Sequence, residues 1–383
     1  MRAIDTNNND NTNRRYLTDI ILETIAISGE FPSAQVSRFI GGVRYKRKII
    51  ERLKEKNQIY SFYRDALRGY RLTSSAKLLL LTRNPERFAF YLTGHSDTNN
   101  PKSEITRRLR LHRIAETYIT MQNAGVSVFR DAKPDLFCPD ISVPTPTFSI
   151  QTPVFYSSRE IKEIGMEFVS IRGARMVGVL LTPTYVFIVY NTGSSLMKWD
   201  YKPEMRTKAL MKNVLCHQRL AHQYQPENVY ALMLGDNMEI GYQLLTSTGG
   251  VKRSYFTLDG NYDSFAFITN DHKGEVLLRL LCDSYLTNQL NTLLTEGFYE
   301  NNPGLTIEND AITEDDEPVL FGYSYDMPRI RRFDSALRLQ NRKGVLICFD
   351  FQVDTLKRFC SEHVRFQTID FIKFEGRFFV SNE

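Results

Sequence analysis

Apolar positions recur at helical spacing from Tyr16 onward: Leu17, Ile20, Ile21, Thr24 and Ile25 share one face, and Gly29 ends the run. The preceding residues, 1–14, are polar and asparagine-rich without periodicity, the pattern of a disordered tail. Pro32 and Ser33 open a short second helix, with Ser33 as its cap and Val36, Phe39 and Ile40 as its apolar face. Gly41 and Gly42 supply a turn. The third helix, 43–56, carries Ile49, Ile50 and Leu53 as a narrow apolar stripe. Residues 59–63 and 69–72 alternate as two short strands of a hairpin, and Thr73 or Ser74 caps a helix that reaches Leu81.

A polar stretch at 96–101 predicts a boundary between a first domain, 15–95, and a second, 102–383, with a subdomain division near 225. Beyond it the pattern predicts a helix at 105–123 and strands at 154–156, 176–181 and 185–190, the last two a hairpin turned at Pro183. A basic helix at 204–222 and strands at 229–234 and 265–268 follow, then one or two helices over 275–294 and an acidic loop at 301–317. Strands at 321–325, 345–351 and 366–374 close the chain, with a helix at 353–360 between the last two. No internal repeat is visible. The expected class is α+β or mixed α/β: a winged helix-turn-helix followed by a larger mixed α/β domain.

Charge sharpens the N-terminal part. The third helix opens Arg44-Tyr45-Lys46-Arg47-Lys48, with Arg52 one turn on, while its apolar stripe lies elsewhere. A recognition helix needs that division, with one side docked and its first turns facing the major groove. The hairpin adds Arg64, Arg68 and Arg71 among Tyr60, Tyr63 and Tyr70, a basic and aromatic wing. These residues are the expected contacts to double-stranded DNA. A homodimer is expected, since such modules commonly bind pseudo-palindromic sites in pairs.

Across all 383 residues the formal net charge is only +5, so the location of charge matters more than its sum. Cys138, Cys216, Cys282, Cys348 and Cys360 form no CxxC pair, which argues against a zinc ribbon or disulfide framework and fits a reducing cytoplasm. No signal-peptide pattern and no run near the ~20 apolar residues of a membrane span occur, so a cytoplasmic protein without a membrane partner is expected.

The segment Tyr16–Leu81, with the Leu109-Arg110-Leu111-His112-Arg113-Ile114-Ala115-Glu116 helix beyond the linker, resembles the replication-relaxation family of plasmids and integrative conjugative elements. The resemblance extends toward Pro134-Asp135 and fades beyond. It implies a mobile-element protein acting on DNA as initiator, accessory factor or regulator, with other replication or transfer proteins as partners.

Two further functions compete. Pro134-Asp135 followed by Glu160-Ile161-Lys162 has the composition of a PD-(D/E)xK site, in which Asp135 and Glu160 would hold Mg²⁺ and Lys162 would assist the attacking water in DNA nicking. Ser157-Ser158-Arg159-Glu160 reads better as a helix cap followed by an amphipathic turn, 161–166. Mg²⁺ is implied only by that nicking function; otherwise no cofactor is expected. The other function is a transcription regulator whose α/β domain senses a ligand. The histidines form no HxH pair, and His217 and His222 are awkwardly spaced for one metal; Arg172, Arg175, His217, Arg219 and Tyr190 make a weak recombinase-like set. No P-loop is present. Lys198, Lys202, Arg206, Lys208, Lys212 and Arg219 around the 204–222 helix offer a second basic surface, after a packing Trp199.

Overall fold

The computed structural model describes residues 16–137, 148–171, 173–250, 255–300 and 306–379. The expected tail at 1–14, Cys138, Arg172 and the start of the acidic loop lie outside these. The described residues are mixed α+β with three sheets, and the chain divides into two compact units, 1–119 and 120–383. The division falls beyond the polar stretch at 96–101, because the helix that follows that stretch packs mostly with the first unit.

The first unit begins with α1 (Leu17–Ser28), closed by Gly29 at φ 80°. β1 (Phe31–Pro32) leads into a 3₁₀ turn, Ser33–Arg38, in place of the expected short α-helix. Next come α2 (Val43–Glu55), β2 (Ile59–Arg64), β3 (Leu67–Leu72), α3 (Ser74–Arg83) and α4 (Pro85–Leu92). The strands form one antiparallel sheet in the order β1-β3-β2. Thr73 caps α3 by accepting from the Ala76 amide. Ile21, Leu22, Ile25, Phe31, Ile49, Leu53, Ile59, Leu80 and Phe88 build the core, the stripe on α2 falling where the periodicity puts it. Ile40, expected in that core, is 83% exposed: the 3₁₀ turn stops at Arg38 and only Phe39 turns inward, its ring 5.0 Å from Phe31. α5 (Ile105–Asn123) packs with this unit through Ile119.

The second unit holds two five-stranded sheets. The first is β4 (Val154–Ser157), β5 (Gly178–Leu181), β6 (Val186–Gly193), β7 (Val229–Gly235) and β8 (Phe265–Thr269), side by side in that order. β4, β5 and β6 are antiparallel; β6, β7 and β8 are parallel. The parallel strands are joined through helices, α7 (Tyr201–Met211) before β7 and α8 (Met238–Thr246) after it, while α6 (Ser158–Ile161) follows the antiparallel β4. α9 (His272–Cys282) and α10 (Ser284–Thr295) are separate helices, because Asp283 accepts from the Tyr285 and Leu286 amides and starts the second. The other sheet runs β9 (Tyr299–Glu300), β10 (Ala311–Ile312), β11 (Pro318–Phe321), β12 (Gly344–Phe349) and β13 (Val364–Ile369). α11 (Met327–Gln340) and α12 (Val353–Phe359) connect its parallel strands, and α13 (Phe371–Phe378) closes the chain.

The second sheet repeats the directions of the first, three antiparallel strands and then two parallel ones. Sequence shows no such repeat, and two-residue strands such as β9 and β10 carry no periodicity that could show one. The expected strand at 366–374 ends early because Asp370 accepts from the Lys373 amide and starts α13, burying Phe371 and Phe374. The expected helix at 204–222 widens after α7 into a π-helical run, Lys212–Arg219.

Candidate nucleic-acid interface

α2 starts from the Gly41-Gly42 turn and docks through Ile49, Ile50 and Leu53. Helical geometry then sends Arg44, Tyr45, Arg47, Lys48 and Arg52 into solvent together. Glu51 and Glu55 are the acidic residues on that exposed side. Lys46 departs from the expectation. It is 7% exposed, and its ammonium donates to the carbonyls of Ser37 (2.6 Å) and Phe39 (2.9 Å). It therefore clamps the turn before α2, and its buried ammonium is not presented to solvent as those of its neighbours are.

The hairpin turns at Asp65 and Ala66, both at positive φ, 53° and 58°, between the paired Arg64 and Leu67. That is the twist-matched two-residue turn of tight hairpins. At its tip Tyr63 is 65% exposed, and the guanidinium of Arg68, its cross-strand partner, lies 5.6 Å from the ring centre. Arg64 is exposed beside Asp65. The Lys54 ammonium sits 5.1 Å over the Tyr70 ring, which joins the end of α2 to the hairpin face that also carries Tyr63 and Arg68.

Arg71 is the second correction. It is 5% exposed, faces the opposite side of the hairpin and is locked internally. Its Nε donates to Glu30 Oε2 at 2.8 Å, and Nη1 and Nη2 donate to the carbonyls of Pro101 and Lys102. Glu30 collects three cationic or hydrogen-bonding partners. Besides Arg71, the Arg108 guanidinium donates to Oε1 at 2.6 Å, and the His112 ring nitrogen lies 2.8 Å from Oε1. Burial alone would raise the Glu30 carboxyl, but His112, Arg108 and Arg71 hold it down at about 2. Arg108 also donates to the carbonyls of Phe62, Arg64 and Leu67, so one side chain of α5 supports the hairpin from beneath. A Cβ on Gly69 would fall 2.4 Å from Glu30 Oε1, and glycine there leaves room for the carboxylate. No local sequence signal marks this cluster: Arg108 and His112 are one turn apart on α5, but Glu30 lies 78 and 82 residues before them.

In the second unit, Asp135 and Glu160 line one narrow cleft with Arg130, Lys133, Tyr156 and Glu163, with room for about one water. Lys162 is not among the lining residues; it is exposed on the turn after α6. Glu160 is engaged as a helix cap, its Oε2 accepting from the Ser157 amide and hydroxyl. Its Oε1 is 2.7 Å from the buried Lys133 ammonium, which burial drives toward the neutral form against the pull of Glu160. Asp135 accepts from Arg130. The three residues expected to form a nicking site are thus not arranged as one: two share a cleft closed by ion pairs, and the lysine lies outside it. Among the described residues no three His, Cys, Asp or Glu side chains converge on a metal position. His217 is exposed, and His222 contacts Ser149 and the Phe148 carbonyl.

The recombinase-like set also disperses. Tyr190 is fully buried, its hydroxyl donating to Glu204 Oε2 and meeting the Tyr262 hydroxyl, both at 2.9 Å. Burial raises the Glu204 carboxyl to about 7, despite hydrogen bonds from the Arg175 amide and Tyr190. Trp199 packs 5.1 Å from Tyr190 and donates to Asp259, as a packing residue should. Of the second basic surface, Lys198, Lys202 and Arg206 are exposed, while Lys208 turns inward to the Asn261 carbonyl. No helix among the described residues is long and apolar enough to cross a membrane. Compared with known proteins, the chain matches no family model, no curated protein and no solved structure.

Proposed function

We propose that the first unit is a winged helix-turn-helix that binds double-stranded DNA, with α2 as recognition helix and the β2–β3 hairpin as wing. The carrying observation is the joint exposure of Arg44, Arg47, Lys48 and Arg52 on a helix whose opposite side is docked in the core. The order of elements, α1, β1, a 3₁₀ turn, α2 and then the hairpin, supports the same assignment. Cations in the first turns of such a helix neutralise phosphates and reach base edges, and the Tyr63–Arg68 tip adds a stacking and charge contact beyond it. A role in replication or transfer of a mobile element follows from the resemblance of the N-terminal segment. No observation favours the nicking or ligand-sensing functions.

Lysine footprinting of the full chain tests the assignment. Lys48 should react with an amine-specific reagent in the free protein and be shielded by added duplex, while Lys46 should be unreactive in both states. Equal labelling of Lys48 with and without saturating duplex would overturn it.

A further inference from the structure

We infer that Ile40 and Val43 form an apolar contact that reads thymine 5-methyl groups in the major groove. The inference rests on the DNA-binding function proposed above and adds how that surface discriminates between sequences. Ile40 is 83% and Val43 71% exposed, in a unit whose other isoleucines and valines are mostly buried or half-buried. Single exposed aliphatics are ordinary, but these two flank one turn immediately before the basic face of α2.

The turn is held rather than loose. Phe39 is sunk against Phe31, and Lys46 pins the carbonyls of Ser37 and Phe39. Gly41 adopts φ 111°, which L side chains rarely take, and an added Cβ there would lie 3.3 Å from the Tyr45 ring. The backbone that presents Ile40 and Val43 is therefore held, and Arg44, Arg47 and Lys48 follow on the same exposed stretch of α2. A partner that fits must be strongly anionic and carry small apolar groups near its charges. Duplex DNA meets both demands in the major groove, where thymine alone displays a methyl group among polar base edges. An acidic protein surface would satisfy the charge but supplies no regular methyl array.

The test uses the full chain and a duplex it selects from a random-sequence pool. That duplex is then remade with deoxyuridine at every thymine, which removes the methyl groups and leaves pairing and charge intact. The thymine duplex should bind more tightly, by about fourfold for each methyl group that the protein touches. I40A/V43A should bind the thymine and uracil duplexes equally, while keeping the wild-type thermal midpoint because both side chains are exposed. Equal wild-type affinity for the two duplexes, with binding retained, would overturn this inference and leave the DNA-binding function standing. Failure to bind any duplex would remove both.

Discussion

Glu30 and Arg108 meet with both side chains sealed from solvent, 2.6 Å apart. Losing Arg108 leaves Glu30 with Arg71 and His112 but takes the donor away from the carbonyls of Phe62, Arg64 and Leu67, at a cost of about 3 kcal/mol. Arg108→Met should therefore destabilise the first unit by that amount, and Glu30→Gln/Arg108→Met by less than the sum of the singles. The sole tryptophan lies in the second unit, so amide exchange in α1 and α5 is the suitable readout. Additive single and double effects would refute the coupling.

The same carboxyl sets an acid limit. With Glu30 near 2 in the folded chain and about 4.5 when unfolded, the unfolded chain takes up a proton that the folded one refuses. Its contribution is complete above pH about 4.5 and is lost as pH falls toward 2. Protection of α1 and α5 should decline through that window in the wild type, with a shallower slope in Glu30→Gln.

Glu204 has the opposite sign. Its folded value near 7 lies above the unfolded 4.5, so the folded chain holds a proton that the unfolded chain has released. Stability of the second unit should fall as pH rises from about 4.5 through 7. Glu204→Gln should flatten that decline and be the more stable form at pH about 8, by on the order of 2 kcal/mol. Trp199 fluorescence in urea, measured at both ends of the window, checks it, since the ring packs beside Tyr190.

Ala66 sits at φ 58° in the hairpin turn, a left-handed conformation that costs an L-residue about 1–2 kcal/mol. Ala66→Gly completes the favoured Asp-Gly pair for this turn. The variant should raise the stability of the first unit by about 1 kcal/mol, seen as slower exchange of the hairpin amides. Faster exchange would contradict the turn geometry.

Two neighbouring lysines should separate fold from function. Lys46→Met releases two carbonyls that the ammonium now satisfies and should cost about 1–3 kcal/mol of stability. Lys48→Met touches no such bond and should leave the thermal midpoint in place while weakening DNA binding. Equal midpoints for the two variants would show that the clamp is not structural.

Much of the first unit is legible in the sequence because its elements are local. The 3.6-residue spacing of Ile49, Ile50 and Leu53, the Thr73 cap and the alternation in the hairpin are written within a few residues of each other. Ile40 escapes that reading because a 3₁₀ turn does not keep the α-helical period. Lys46 and Arg71 cannot be told from their exposed neighbours by residue type. Their burial depends on the Ser37 and Phe39 carbonyls in one case and on Glu30 in the other. The Asp135, Glu160 and Lys162 spacing is suggestive, yet the local cap from Ser157 to Glu160 decides the geometry. The second unit's repeated sheet order arises from long-range pairing that no local pattern encodes.

The salt dependence of duplex binding tests the central claim most directly. Each phosphate neutralised by a cation adds about 0.9 to the slope of log affinity against log salt. Arg44→Ala/Arg47→Ala/Lys48→Ala should bind more weakly and shallow that slope by about 2–3, while keeping the wild-type thermal midpoint. An unchanged slope and affinity in the triple variant would contradict α2 as the DNA-binding edge of this protein.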